Sequence, residues 1–230
     1  MKASIEKSSL DFLKDLKKNN NRDWFNENKK RYQAAHENII AFADTVLEEM
    51  NKVDNIETPN GKKSVFRIYR DTRFSKDKTP YKTHFGASFH RATKQLRGGY
   101  YFHIQPGNAF VGGGFWGPNP DDLKMIRAAI AEDPDELREI INSKDFVSTF
   151  GSLQGDQVKT SPKGYSKDDP AIDLLRFKQY IVSKSFTDKE MLSADYSAMV
   201  ADTFKAMRPF FDYMSYILTT DANGEPLYKD

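Results

Sequence analysis

The chain contains no cysteine among its 230 residues. This absence excludes disulfide bonds, thiolate metal ligands and cysteine nucleophiles, and it is compatible with a reducing compartment. The N-terminal residues lack the apolar run of a secretory signal peptide. No stretch approaches the roughly 20 apolar residues that are needed to span a bilayer. We therefore expect a soluble cytoplasmic protein without a membrane partner.

The sequence also lacks the common motifs for cofactors and metals. Three glycines at positions 112–114 have neither the spacing nor the following lysine of a nucleotide-binding loop. The histidines in the middle of the chain show no metal-ligand spacing, and no acidic pair flanks them. The sequence predicts no cofactor and no metal site.

Positive charge is concentrated in one short region of a chain whose net charge is only +2. Between Lys62 and Arg97 there are eleven lysines or arginines and two aspartates, a balance of +9. The other residues carry 24 basic and 31 acidic side chains, a balance of −7. Such a concentration attracts anions over roughly 8–10 Å at cellular salt concentrations. The charge distribution therefore predicts an anionic partner.

The spacing of apolar residues changes twice along the chain. In the first and last thirds these residues recur at intervals of three and four, which predicts helices. One such helix is expected from Asp169-Pro170 through Leu174, Phe177 and Ile181. The middle third is rich in aromatic and β-branched residues and predicts four strands. These predicted strands are Val65–Tyr69, Thr83–Arg91, Gly99–Gln105 and Phe110–Trp116.

This order of elements predicts an α+β fold, because the strands are consecutive and the helices are segregated at both ends. We expect a single domain over residues 1–230, with a central antiparallel sheet packed against N- and C-terminal helices. Residues 219–230 are polar and predict a frayed tail. Trp24 and Trp116 are expected to be core aromatics.

Pro106-Gly107 predicts a tight hairpin between the last two predicted strands. With a two-residue loop, strand alternation places four residues on the core face: Phe102, Ile104, Ala109 and Val111. The same alternation predicts that the opposite face carries Arg67, His84, Tyr101 and His103, with Phe66 on the core side. Gly112 and Gly114 leave that face open for a ligand or, alternatively, allow a helix to pack closely.

The candidate ligand-binding residues are Tyr101 and six cations of the basic segment: Arg67, Arg70, Arg73, Lys76, Lys78 and Lys82. Arginine offers a planar fork suited to phosphate or carboxylate, and lysine adds a mobile point charge. The alternative is a solvated loop in which Asp71 and Asp77 each hold an arginine or lysine. The sequence identifies no catalytic residue. His84 and His103 are the candidates, because imidazole can transfer a proton near neutral pH.

Several ordered motifs resemble the bacterial and fungal domain-of-unknown-function family 2461. The longest is RDTRFSKDKTPYK at residues 70–82, and others are NNRDWF at 20–25 and GGFWGP at 113–118. The resemblance covers about residues 10–218. It implies a single-domain soluble protein, and it brings no activity, cofactor or catalytic residue with it.

Three hypotheses for function follow from the basic segment. The first is binding of a phosphate-bearing or other anionic small molecule, with phosphoester or nucleotide chemistry if the protein is an enzyme. The second is a nucleic-acid-binding module, in which Tyr69, Phe74 or Tyr81 stack on bases. The third is a non-enzymatic protein-interaction domain with an acidic partner. The sequence leaves open whether the protein is an enzyme.

Overall fold

A computed structural model of the protein describes residues 3–221 and 223–228. Within these residues the chain forms ten helices and four strands. The helices are α1 (Lys7–Lys18), α2 (Arg22–Glu27), α3 (Lys29–Met50), α4 (Gly61–Ser64), α5 (Pro120–Glu132), α6 (Asp135–Asn142), α7 (Lys144–Phe150), α8 (Ile172–Leu175), α9 (Asp188–Met191) and α10 (Tyr196–Thr219). The strands are β1 (Phe85–His90), β2 (Gly99–Ile104), β3 (Ala109–Phe115) and β4 (Tyr180–Phe186).

The strands form one antiparallel sheet in the order β1-β2-β3-β4, with helices before and after it in the chain. The predicted α+β class is therefore confirmed. The predicted hairpin is also present, since the Asn108 N–H donates to the Gln105 carbonyl at 3.0 Å. Gly107 has a φ of +73° in this turn, which glycine adopts without steric cost. The four residues predicted for the core face are all buried: Phe102, Ile104, Ala109 and Val111.

Two predictions of secondary structure are wrong. Val65–Tyr69 is not a strand of the sheet and forms only isolated bridges, from Val65 to Ala87 and from Tyr69 to Tyr81. The fourth strand is instead Tyr180–Phe186, where the predicted helix was expected to continue through Ile181. Helix α8 already ends at Leu175. The following aromatic and β-branched residues fit a half-buried sheet, and that packing overrides their helical spacing.

The chain divides into two compact units. The first comprises the chain up to Phe89, Tyr101–Val111 and Ser185–Asp202. Its core is aromatic: the Phe42 ring of α3 lies 5.4 Å from that of Phe102 and 5.3 Å from that of Tyr196, measured between centroids. All three side chains are fully buried. Burial of one such side chain contributes about 1.5–3 kcal/mol.

The second unit comprises His90–Tyr100, Gly112–Lys184 and the chain from Thr203 onward. Here α10 packs directly on the glycines of β3. A Cβ atom at Gly113 would lie 2.7 Å from Met207 Sδ and 2.8 Å from Phe211 Cζ. A Cβ atom at Gly114 would clash with the Tyr180 carbonyl oxygen of β4. The expected open surface is therefore absent at Gly114, because β4 fills it.

Trp116 and the C-terminal tail differ in part from what the sequence predicts. Trp116 is 51% exposed and is not a core residue, whereas Trp24 is half-buried and stacks on Phe12 at 6.0 Å. The predicted frayed tail includes Ala222, Lys229 and Asp230, which lie outside the described residues. Its described part forms backbone hydrogen bonds, including one of 2.8 Å from Leu227 to Thr219.

A helix that crosses a bilayer must be both long and apolar. No helix within the described part of the chain meets both requirements.

Candidate functional site

The basic segment forms a loop on a short two-stranded stem within the first unit. The Arg70 N–H donates to the Pro80 carbonyl at 2.9 Å, and the Lys82 N–H donates to the Ile68 carbonyl at 2.8 Å. These bonds bring the two ends of residues 71–79 together. We refer to residues 71–79 as the basic loop.

The stem is anchored to the helical part of the first unit through Tyr81. The Asn20 side-chain amide donates to the Tyr81 carbonyl at 2.9 Å, and its oxygen accepts from the Tyr81 N–H at 3.1 Å. The buried Tyr81 ring stacks on Phe25, with centroids 3.9 Å apart and planes inclined by 13°. The stem residue Tyr81 is therefore held by Asn20 and Phe25, which are distant from it in sequence.

Arg70 ties the stem to the far end of the basic loop. Its Nη1 lies 2.5 Å from Asp77 Oδ2 and also donates to the carbonyl and hydroxyl oxygens of Thr79. Asp77 in turn accepts the Thr79 N–H at 2.9 Å. These hydrogen bonds, from Thr79 first and Arg70 next, lower the pKa of the Asp77 carboxyl to about 2. Asp77 therefore stays ionised and keeps Arg70 in place.

The remaining predicted cations differ in their contacts. Arg73 forms a two-pronged contact with Asp71, through Nη2 at 2.6 Å and Nε at 3.0 Å, although its side chain is 78% exposed. Lys78 Nζ donates to the Thr72 carbonyl at 2.9 Å. Lys76 and Arg67 are exposed and form no ion pair with any residue that the structure describes. The pairing of Asp71 and Asp77 with arginines, which the sequence offers as the alternative to ligand binding by these cations, is thus present.

A cavity of about 240 Å³ lies between the stem and the start of β1. It is lined by Asn20, Arg70, Asp77, Thr79, Tyr81, Lys82, Thr83 and His84. Lys82 is half-buried there, and its Nζ lies 5.5 Å from the centre of the Phe66 ring. It has no carboxylate partner among the described residues. Burial, together with the charge of Arg67, lowers the pKa of the Lys82 ammonium.

His84 lies at the inner side of this cavity, against a second histidine. The centroids of the His84 and His103 rings are 4.1 Å apart. Burial, followed by the neighbouring His103 and Lys82, lowers the pKa of His84 to about 4. His84 is therefore uncharged at neutral pH. Neither of its ring nitrogens forms a hydrogen bond with the part of the chain that the structure describes.

His103 is held by a chain of hydrogen bonds along one face of β2. The Tyr101 hydroxyl donates to His103 Nδ1 at 2.9 Å, and His103 Nε2 donates to Gln105 Oε1 at 2.9 Å. Burial raises the pKa of Tyr101 to about 12 and lowers that of His103, so both groups are neutral. The Tyr101 ring fits here because residue 86 is glycine: a Cβ there would lie 2.6 Å from the hydroxyl oxygen.

Phe66 was predicted to lie on the core side, but it lies on the same side as Tyr101. It is 45% exposed, and its ring centroid is 6.2 Å from that of Tyr101. The Phe110 ring stacks on His103, with the two ring centroids 4.8 Å apart. The backbone explains the error, since residues 65–66 run beside β1 through the bond from the Phe66 N–H to the Gly86 carbonyl at 2.9 Å. Their side chains therefore do not follow the alternation of a full strand.

The structure thus brings part of the predicted set together. Arg70, Lys82 and His84 line the cavity, and Tyr101 and His103 lie behind His84. The other predicted cations are not among the residues that line it: Arg67, Arg73, Lys76 and Lys78. Sequence reasoning missed Asn20 and Thr83 as lining residues. The only signal for Asn20 was its place in the NNRDWF motif.

A metal site built from protein side chains needs several ligands close together, such as His, Asp or Glu. The described residues contain no group of three His, Asp or Glu side chains arranged to hold a metal ion.

Comparisons with known proteins agree with the motif resemblance. The chain matches the family described as conserved hypothetical protein (DUF2461) over residues 8–213. Because this match covers most of the chain, the protein belongs to that family. No curated protein and no solved structure shows significant similarity to it.

Proposed function

We propose that this member of the family binds a phosphate-bearing anion in the 240 Å³ cavity beside the basic loop. Lys82 and His84 contact the anion, Arg70 lies beside them with its charge balanced by Asp77, and Tyr101 and His103 hold His84 in position. The observation that carries the proposal is the lack of protein partners for two nitrogen groups in one cavity. Both the Lys82 ammonium and the His84 imidazole line it without a hydrogen-bond acceptor or donor among the described residues.

The electrostatics of the free cavity support an anion. A positive charge that is desolvated and close to other positive charges is destabilised, which is why the pKa values of Lys82 and His84 are lowered. A bound phosphate reverses both effects, because it supplies the missing negative charge and acceptor oxygens. Asp77 does not replace it, since Arg70 and Thr79 already occupy that carboxylate.

The lowered pKa of His84 favours binding over catalysis. An imidazole with a pKa of about 4 is a weak base at neutral pH. A bound phosphate raises the pKa of His84, and the protonated ring then donates a hydrogen bond to a phosphate oxygen. In a phosphoester reaction the same ring would protonate the leaving oxygen, while Arg70 and Lys82 would stabilise the developing charge.

Thermal unfolding in the presence of phosphate tests the proposal. At a phosphate concentration 100 times Kd, binding contributes about 2.7 kcal/mol, or a rise in Tm of about 5–10 °C for a chain of this size. We expect this rise for the parent protein with phosphate and sulfate, and not with chloride at equal ionic strength. Lys82→Gln should lose most of it.

The matched control is Lys76→Gln, which removes an exposed lysine of the basic loop that does not line the cavity. This variant should keep most of the phosphate-induced rise in Tm. An equal loss in both variants would mean that the loop attracts anions diffusely, and that the cavity has no special role. A parent protein that phosphate and sulfate do not stabilise would refute the proposal.

Single-stranded nucleic acid is a second candidate, favoured by aromatic side chains around the loop. Phe74 is 97% exposed between Arg73 and Ser75, and Tyr69 is 47% exposed on the stem. Exposed rings beside cations can stack on bases. Several phosphate contacts would make affinity fall by on the order of 10³ between 50 and 200 mM salt. A shallow salt dependence with an oligonucleotide favours the small anion instead.

A further inference from the structure

A second and larger cavity of the first unit adjoins the 240 Å³ cavity that is proposed to bind phosphate. Its volume is about 620 Å³, within the usual range for ligand sites. One wall is the C-terminal half of α1, and the other is the β2–β3 turn with Asp188 at the start of α9. Thr83 lines both cavities, so they meet at the residue between Lys82 and His84.

Three lysines of α1 line this second cavity: Lys14, Lys17 and Lys18. Their spacing of three and four places them on one side of the helix. Lys14 lies 3.8 Å from Asp188, which also accepts the Gly107 N–H at 2.7 Å. Lys17 and Lys18 have no ion-pair partner within the described residues.

The charge of this cavity is positive after its negative groups are considered. Lysines in the last turn of a helix complement its C-terminal partial charge, which is about half an electron charge. That partial charge and the single carboxylate of Asp188 are together smaller than the charge of three ammonium groups. The backbone of the β2–β3 turn and the Leu13 side chain complete the wall with neutral surface.

We propose that the 620 Å³ cavity beside α1 is a second anion subsite. The ligand then carries two phosphate groups joined by a spacer. This inference rests on the function proposed above. One phosphate binds at Lys82 and His84, the spacer passes Thr83, and the second phosphate binds at Lys17 and Lys18. The larger volume on the α1 side accommodates a group such as a nucleoside. A 5′-phosphorylated dinucleotide and a linear polyphosphate both have this chemistry.

Calorimetric titration of the full chain with four probes tests the inference. The probes are inorganic phosphate, thymidine 5′-monophosphate, the dinucleotide pdTpdT and tripolyphosphate. The variants are Lys17→Gln/Lys18→Gln and Lys82→Gln. The matched control is Lys29→Gln/Lys30→Gln, an adjacent pair of exposed helical lysines outside both cavities. Glutamine is a good helix former, so all variants should retain their far-UV circular dichroism.

For Lys17→Gln/Lys18→Gln we expect the affinity for pdTpdT to fall about tenfold, or about 1.4 kcal/mol. Its affinity for inorganic phosphate should stay within about twofold of the parent, and Lys82→Gln should weaken both. If tripolyphosphate shows the dependence on Lys17 and Lys18 and pdTpdT does not, the subsite stands and the spacer is a phosphate chain. If the affinity of neither probe depends on Lys17 and Lys18, the second subsite is refuted while the first remains. If the parent binds no probe, both proposals fail.

Discussion

Among single residues, His84 is the one whose protonation most directly makes the cavity sensitive to pH. Its ring is packed against His103 and close to Lys82, and it has no partner to stabilise a charged form among the described residues. The pKa of about 4 in the folded protein compares with 6.5 in a free chain. Between these values the unfolded state binds more protons than the folded state. The contribution of His84 to the free energy of unfolding is therefore fully present above pH 6.5 and is lost as the pH falls towards 4.

We expect the free energy of unfolding to drop by about 1–2 kcal/mol between pH 7.5 and pH 5 through this residue. Urea unfolding at the two pH values measures the drop. His84→Gln should reduce this drop in the free energy of unfolding. The part of the drop that comes from other histidines, such as His103, should remain. Sulfate should also reduce it in the parent, because a bound anion raises the pKa of His84. Equal drops in the parent and in His84→Gln would contradict the assignment.

At the scale of an element, the basic loop is held by its own charges. Asp77 joins the far end of the loop to Arg70 in the stem, whereas Asp71 holds only its near neighbour Arg73. The two pairs differ in exposure, since the Arg70 side chain is 26% exposed and that of Arg73 is 78% exposed. Exposed pairs contribute little to stability, so the Asp77 pair should matter more for loop order.

Limited digestion with trypsin can compare the two pairs, because the loop contains several lysines and arginines. Asp77→Asn should increase the rate of cleavage between Arg70 and Lys82 several-fold, since the stem loses its link to the end of the loop. Asp71→Asn should have a smaller effect. Global stability in urea should be similar in the two variants. If Asp71→Asn is cleaved as fast as Asp77→Asn, the link from Asp77 to Arg70 does not order the loop.

At the scale of the whole molecule, the positively charged region between Lys62 and Arg97 is divided between the two units. The cations up to Lys82 belong to the first unit, whereas Arg91 and Arg97 belong to the second. Arg91 has a side chain only 1% exposed and pairs with Asp212, and Arg97 pairs with Asp122. These two arginines stabilise their own unit and do not line the cavity that is proposed to bind an anion. The concentration of charge in the sequence therefore overstates the charge at the site.

Arg91→Ala should lower the free energy of unfolding by about 3 kcal/mol, because it removes a buried partner of a carboxylate together with its packing. Chemical denaturation measures the loss. Lys94→Ala changes an exposed residue of the same segment and should cost less than about 0.5 kcal/mol. The two variants together separate internal pairing from simple loss of charge. Similar values for both would show that the Arg91 pair is not structural.

The sequence by itself determined the fold class, the hairpin and the family, and it showed the concentration of positive charge from which an anion site is proposed. These depend on local signals: the β2–β3 turn requires glycine, strand alternation selects Phe102 and Ile104, and the RDTRFSKDKTPYK motif is contiguous. Only the tertiary structure decided which cations are free. Ion pairing depends on partners distant in the chain, as for Arg91 with Asp212. The cavity likewise forms where Asn20 meets the stem at Tyr81, a contact that local sequence does not encode.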